Sequence, residues 1–175
     1  MWEYVLSMYN SYIPSQFFEC FFSLLSISVL VTFLFKGLKK GIRIYGIIIL
    51  VSYLFLLYAS TLFFRNYEKH HGYFLKPFWS YSRNDMLLEN LMNVIVFVPI
   101  GLLVGCTIKK MSWKKVLFIG MGISLSIELL QLVFKRGYAE MDDLIHNTLG
   151  CMIGFGVYSL AKVGYERISK NHGST

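Results

Sequence analysis

Charged residues and cysteine are both scarce in this sequence of 175 residues. Charged side chains make up 15% of the chain and hydrophobic ones 55%, a balance that excludes an ordinary soluble domain. The three cysteines are an odd number and lie in or beside apolar segments, which argues against a disulfide framework. No Gly/Ser-rich linker or internal repeat divides the chain, so a single domain of residues 1–175 is predicted.

Several recognisable signals are missing as well. No basic segment precedes the first apolar run, so a cleaved signal peptide is not expected. The chain has no G-x-S-x-G or H-E-x-x-H motif, no Cys–His pair typical of a nucleophile and its base, and no glycine-rich phosphate loop. A non-catalytic role is therefore favoured over an enzymatic one.

Long apolar segments dominate what is present. A hydrocarbon layer of about 30 Å needs about 20 apolar residues in a helix. Five segments meet that length, with predicted bounds at residues 17–35, 43–64, 91–108, 116–134 and 144–162. The predicted fold class is therefore all-α, a polytopic bundle of about five transmembrane helices.

The basic residues indicate an orientation. The net charge of +7 comes from side chains at the ends of the apolar segments, which favours a membrane protein over a nucleic-acid binder. One side of the membrane receives Lys36, Lys39, Lys40, Arg43, Lys109, Lys110, Lys114, Lys115, Lys162, Arg167 and Lys170. The other side receives Arg65, Lys69, Lys76, Arg83, Lys135 and Arg136. The positive-inside rule then predicts an outer N-terminus and a cytoplasmic C-terminus.

Polar side chains interrupt the last two apolar segments at facing ends. Glu128 and Gln131 lie three residues apart on one helix, and Asp143 and Asn147 lie four apart on the next. The residues from Lys135 to Asp142 are predicted to form a short charged loop between these helices. A carboxylate at the centre of a membrane helix costs about 2.5–3.5 kcal/mol, so Glu128 needs a partner.

Several partners are open for Glu128: the amides of Asn93 and Asn147, the cations Lys135 and Arg136, or a bound proton. Two interpretations follow. The polar residues form either a functional pocket or an interhelical hydrogen-bond cluster that only holds the bundle together.

Small residues and a proline predict where the helices approach each other. Pro99 removes a helical hydrogen bond, and Gly101 allows a neighbouring helix to come close. Gly150 and Gly154 form a small-xxx-small pair on the stripe of Asn147, which predicts a close helix contact.

Metal ligands are not predicted. Asp142, Asp143 and His146 could hold a cation, but acids at a helix N-terminus are already favoured by the helix dipole. His70 and His71 are adjacent, a poor geometry for one metal ion. Neither a metal nor a cofactor is therefore expected.

Residues 65–90, rich in aromatic and basic side chains, are either an interfacial anchoring belt or a platform for a lipid headgroup or an antibiotic.

The order and spacing of these residues resemble the VanZ-like family of integral membrane proteins. The matching positions, within about residues 74–156, are Leu75, Pro77, Phe78, Asn93, Pro99, Gly101, Glu128, Gln131, Arg136, Asp142, Asp143, Asn147, Gly150 and Gly154. The family is associated with resistance to teicoplanin, a lipoglycopeptide antibiotic. The resemblance implies a protein of the bacterial cytoplasmic membrane that lowers susceptibility to such drugs, and the charge pattern predicts that it acts at the outer leaflet.

The binding residues expected on this hypothesis are Asn93, Glu128, Gln131, Arg136, Asp143 and Asn147. The expected partners are membrane lipids together with the antibiotic or a lipid-linked wall precursor; nucleic acid is not among them, and an oligomer is open. Two alternatives remain. One is a membrane enzyme acting on a lipid-linked phosphate or sugar, with Glu128 or Asp143 as base and Arg136 on the phosphate. The other is a transporter or flippase subunit with Glu128 as a proton site and Pro99 as a hinge.

Overall fold

The computed structural model describes residues 39–63, 72–82 and 86–172, and it describes side chains between residues 43 and 170. Its helices are α1 (Lys39–Leu62), α2 (Leu87–Thr107), α3 (Trp113–Val133) and α4 (Met141–His172). Two short strands, β1 (Gly72–Phe74) and β2 (Tyr138–Glu140), and a 3₁₀ helix at Trp79–Ser82 complete the described elements.

Four of the predicted spans correspond to helices long and apolar enough to cross a membrane. The spanning parts are Arg43–Leu62, Leu87–Thr107, Trp113–Val133 and Met141–Lys170. The remaining predicted span, residues 17–35, lies outside the described residues. The described part of the chain is therefore a mainly helical membrane protein with four such helices.

The connection between α3 and α4 differs from its prediction. The charge pattern predicted a loop as far as Asp142, but α4 begins at Met141 and places Asp142 in its first turn. Residues 138–140 form β2, which pairs in parallel with β1 through Gly72 and Tyr138, Tyr73 and Ala139, and Phe74 and Glu140. Strands of three residues leave no readable hydrophobic period, so the sequence alone did not reveal this pairing.

The described residues divide into two compact units. The first contains α1, β1, the part of α3 from Leu125 onward, and β2. Its buried apolar side chains are Tyr53, Leu57, Ala59, Leu62 and Ile127. The second contains the 3₁₀ helix, α2, α3 as far as Ser124, and α4. Its buried apolar side chains are Phe97, Ile100, Val104, Val116, Cys151 and Phe155.

In the second unit, α2 and α4 run parallel and very close together. A Cβ atom added at Gly150 would overlap the carbonyl oxygen of Val94, and one at Gly154 would overlap that of Val98. On the opposing side, a Cβ at Gly101 would overlap the carbonyl oxygen of Cys151. Glycine is therefore required at all three positions for the backbones to approach to this distance.

The first part of α3 runs antiparallel to α4 in the same unit. The ring of Trp113 meets Phe155 edge-on with centroids 4.9 Å apart. Nearer the opposite end of α4, Asn147 donates a hydrogen bond to Ser124 at 3.0 Å. Since the residue numbers rise on one helix as they fall on the other, the two helices point in opposite directions.

The C-terminus of α3 ends in a Schellman motif. The N–H of Arg136 donates to the carbonyl of Gln131 at 2.8 Å, and the N–H of Lys135 donates to that of Leu132 at 3.3 Å. The motif places Lys135 in the left-handed region, with φ of 54°. Glycine usually occupies this position because a Cβ atom there costs about 1 kcal/mol.

Lys135→Gly is accordingly expected to raise the free energy of unfolding by about 0.5–1 kcal/mol. The measurement is denaturant unfolding in detergent micelles followed by circular dichroism. Lys162→Gly, an exposed lysine within α4, is the control, and it is expected to lower stability by up to about 1 kcal/mol. A loss of stability in both variants would contradict the proposed role of Lys135.

Candidate functional site

The polar side chains of the second unit gather at the first turns of α4. Asp142 is fully buried and accepts three hydrogen bonds from one short segment. Its Oδ1 accepts the N–H of Phe78 at 2.5 Å, and its Oδ2 accepts the N–H of Ser80 at 2.9 Å and the Ser80 hydroxyl at 2.5 Å. The Asn90 amide donates to the same hydroxyl at 2.9 Å. Asp142 therefore ties the segment around the 3₁₀ helix to α4.

One turn further along α4, His146 contacts the same segment. Its Nε2 forms a hydrogen bond of 2.8 Å with the Tyr81 hydroxyl, and the two rings stack with centroids 5.7 Å apart. The Tyr81 ring also meets Phe78 at 5.9 Å, and both of these rings are more than half exposed. The Nδ1 atom of His146 is buried and has no hydrogen-bond partner within the described ranges.

The other polar stripe of α4 joins the two neighbouring helices of this unit. Asn93 on α2 donates to Oδ1 of Asp143 at 2.7 Å, and Asn147 donates to Ser124 on α3 at 3.0 Å. Both amides were candidate donors to Glu128, and the structure gives each of them a different partner. The sequence placed them on the correct face, but it could not choose between acceptors on separate helices.

Glu128 and Gln131, in the first unit, are both buried, at 5% and 3% exposed. The Oε2 atom of Glu128 accepts the N–H of Glu140 at 2.9 Å, which ties β2 to α3. The Oε1 atom of Gln131 is buried and has no hydrogen-bond partner in the part of the chain that the structure describes. We call these two side chains the acceptor pair.

Arg136, the predicted phosphate or carboxylate partner, follows α3 in the first unit. Its backbone N–H closes the Schellman motif on the carbonyl of Gln131, and its side chain is half-buried. Pro99 lies inside α2, two residues before Gly101 and within the stretch that contacts α4. Of the predicted site residues, Asn93, Asp143 and Asn147 thus belong to the second unit, and Glu128, Gln131 and Arg136 to the first.

Ser80, Tyr81 and Asn90 are part of the polar network, but sequence reasoning did not single them out as site residues. Asn90 lies three residues before Asn93, so two amides on one face of an apolar helix were the available signal. Ser80 and Tyr81 offered no such signal because their partners are 62 and 65 residues away. Among the described residues, no group of three or more His, Cys, Asp or Glu side chains could hold a metal ion.

Comparison with known proteins agrees with the resemblance found in the sequence. The model of the VanZ/LLP1 family matches residues 25–162. Protein VanZ from Enterococcus faecium is 29% identical over 127 residues, which are 72% of this chain and 76% of that protein. No solved structure matches. Because the family match extends over most of the sequence, including the four membrane-length helices of the described residues as far as residue 162, the chain belongs to the VanZ/LLP1 family.

Proposed function

We propose that this protein lowers susceptibility to teicoplanin-type lipoglycopeptide antibiotics by binding a hydrogen-bond donor of the drug, or of its lipid-linked target, at the acceptor pair. Family membership supports the drug class, since VanZ-like proteins are associated with teicoplanin resistance. The observation that carries the proposal is the buried amide oxygen of Gln131, which has no hydrogen-bond partner among the described residues and lies three residues from the buried carboxylate of Glu128.

The energetics favour an external donor at this position. A buried acceptor without a partner costs about 1–3 kcal/mol, and a carboxylate inside a membrane helix costs a similar amount. Glu128 accepts the N–H of Glu140, which helps to offset its cost. Gln131 receives no such bond from the described chain. A ligand that brings an O–H or N–H group to Gln131 would recover this energy on binding.

Lipoglycopeptides suit this site by their general chemistry. Their sugars carry hydroxyl donors, their peptide carries amide N–H donors, and their acyl chain enters the lipid. A lipid-linked wall precursor carries the same kinds of donor. The protein requires no catalytic group for this role, because binding either the drug or its target at the membrane surface is sufficient to change how the drug associates with that target.

The placement of charge supports an outer-leaflet position in the bacterial cytoplasmic membrane. The connection between α2 and α3 has four lysines, and α4 carries Lys162, Arg167 and Lys170 near its C-terminal end. The positive-inside rule assigns both to the cytoplasm. The opposite end of α3, which carries the acceptor pair, then faces outward.

The test is the minimum inhibitory concentration of teicoplanin and of vancomycin in a susceptible Gram-positive host expressing each variant at equal levels. The wild type is expected to raise the value for teicoplanin. Glu128→Gln and Gln131→Leu are expected to abolish the increase, because losing a hydrogen bond to a charged or buried partner costs about 1.5–3 kcal/mol, a loss of about tenfold or more in affinity.

Glu166→Gln is the matched control, since it makes the same chemical change at an exposed acid of α4. It is expected to behave like the wild type. Full protection by both acceptor-pair variants, or no protection by well-inserted wild-type protein, would reject the proposal. Membrane abundance of every variant is checked by blotting membrane fractions.

A further inference from the structure

The connection between α2 and α3, residues 108–115, is the most basic stretch of the second unit. It contains Lys109, Lys110, Lys114 and Lys115, and all four side chains are exposed. The helices on either side are both long and apolar enough to cross a membrane, so this basic connection lies at a membrane surface. We call these four side chains the lysine cluster.

Within the described part of the second unit, the segments next to this cluster contain no carboxylate to neutralise it. The sequence contains no Asp or Glu from residue 90 to residue 127. Trp113 packs on Phe155 and lies beside Gly156, which brings that part of α4 next to the connection. Helix α4 has no acid between residues 144 and 165, and Glu166 is ten residues beyond Gly156, about 15 Å along the helix.

The backbone keeps the lysines together rather than dispersing them. Lys110 adopts a left-handed conformation with φ of 55°, which turns the chain between the two helices. The Lys115 ammonium donates a hydrogen bond to the carbonyl of Lys110 at 3.3 Å. Lys114 and Lys115 also lie in the first turn of α3, where the helix dipole disfavours cations. An external anion would relieve both the repulsion between the neighbouring lysines and their unfavourable interaction with the helix dipole.

Apolar side chains beside the cluster fit the same surface. Trp113 is 50% exposed and Ile108 is 40% exposed, although both lie next to lysines. Tryptophan prefers the headgroup level of a bilayer, and lysine side chains extend from there to the lipid phosphates. Basic residues at the end of a transmembrane helix attract anionic lipids, at about fivefold in affinity for each residue.

We propose that the lysine cluster, anchored by Trp113, is a binding site for anionic phospholipid headgroups at the surface where α2 ends and α3 begins. The ligand is the phosphodiester of a lipid with a net negative charge, such as phosphatidylglycerol. A zwitterionic lipid carries an ammonium group beside the phosphate, so its headgroup has no net charge and is attracted less strongly by the lysines. The site is independent of the acceptor pair and of any antibiotic.

The test uses the purified full-length protein in a neutral detergent, with phosphatidylglycerol and phosphatidylcholine of identical acyl chains added together. Native mass spectrometry measures how much of each lipid stays bound. The wild type is expected to retain phosphatidylglycerol preferentially, and this preference should fall as salt is raised. Lys114→Gln/Lys115→Gln is expected to lose about 25-fold of the preference.

Lys162→Gln/Lys170→Gln removes the same charge from exposed positions of α4 outside the lysine cluster and is expected to lose clearly less of the preference than Lys114→Gln/Lys115→Gln. Lys114→Arg/Lys115→Arg is expected to keep the wild-type preference, which separates loss of charge from loss of structure. Equal losses in the two Gln pairs, loss in the Arg pair, or no lipid preference in the wild type would overturn the proposal. Circular dichroism checks that each variant keeps its helices.

Discussion

Gly101→Ala is expected to destabilise the protein by about 3 kcal/mol, the upper part of the range for inserting atoms into a packed interior. The added methyl group would overlap the carbonyl oxygen of Cys151 and would lie 2.9 Å from the backbone nitrogen of Phe155. Both are backbone atoms, so no side-chain rotation relieves the overlap. The two helices would have to separate, and contacts along their whole interface would weaken.

The measurement is unfolding of the purified protein in mixed micelles as the fraction of denaturing detergent is increased. Gly122→Ala is the matched control, because a Cβ atom there has no neighbour within 4 Å. It is expected to be neutral or to stabilise the helix by up to about 1 kcal/mol. Similar unfolding midpoints for the two variants would show that α2 and α4 do not depend on this close contact.

The helices that meet at Gly101 could largely be predicted from the sequence. Long apolar runs specify membrane helices because the lipid leaves the backbone no other partner for its N–H and C=O groups. The small-xxx-small spacing of Gly150 and Gly154 indicates a close helix contact, because small residues on one helix face let another backbone approach. Each of these features lies within a single apolar segment, so the sequence of that segment is sufficient to reveal it.

The partners of the polar side chains could not be predicted in this way. Asn93 and Asn147 were two of several candidate donors to Glu128, and in the structure they donate to Asp143 and Ser124. An amide accepts many partners of similar energy, and the choice depends on how three helices rotate against one another. The acid pair of Asp142 and Asp143 shows the same limit. The helix dipole explained why both residues begin α4 but did not indicate that Asp142 binds a segment 62 residues earlier.

The hydrogen bond from Glu140 to Glu128 also depends on contacts between segments that are far apart in the sequence. Its donor is a backbone N–H of β2, a strand that exists only through pairing with β1 far away in the sequence. Sequence reasoning correctly identified Glu128 as a residue that needs a partner. The candidates were side chains and a proton, and the structure adds a main-chain N–H, that of Glu140, to the groups that contact Glu128.

Asp142→Asn is expected to lower the free energy of unfolding by about 3 kcal/mol. The carboxylate accepts a backbone N–H at each oxygen, from Phe78 at Oδ1 and from Ser80 at Oδ2. An asparagine amide has only one oxygen, so in either orientation its NH₂ group faces one of these N–H donors. A buried donor then loses its partner, and the charge-assisted bond to the Ser80 hydroxyl is weakened as well.

Asp143→Asn is the matched control on the neighbouring residue. Asp143 accepts the Asn93 amide at one oxygen, and asparagine keeps an oxygen that can do so, so a smaller loss than in Asp142→Asn is expected. Besides unfolding, limited digestion with chymotrypsin reports on the segment that Asp142 holds. Phe78 and Tyr81 are exposed, and they should be cut faster in Asp142→Asn than in Asp143→Asn. Equal stability and equal cleavage would mean that another contact fixes this segment to α4.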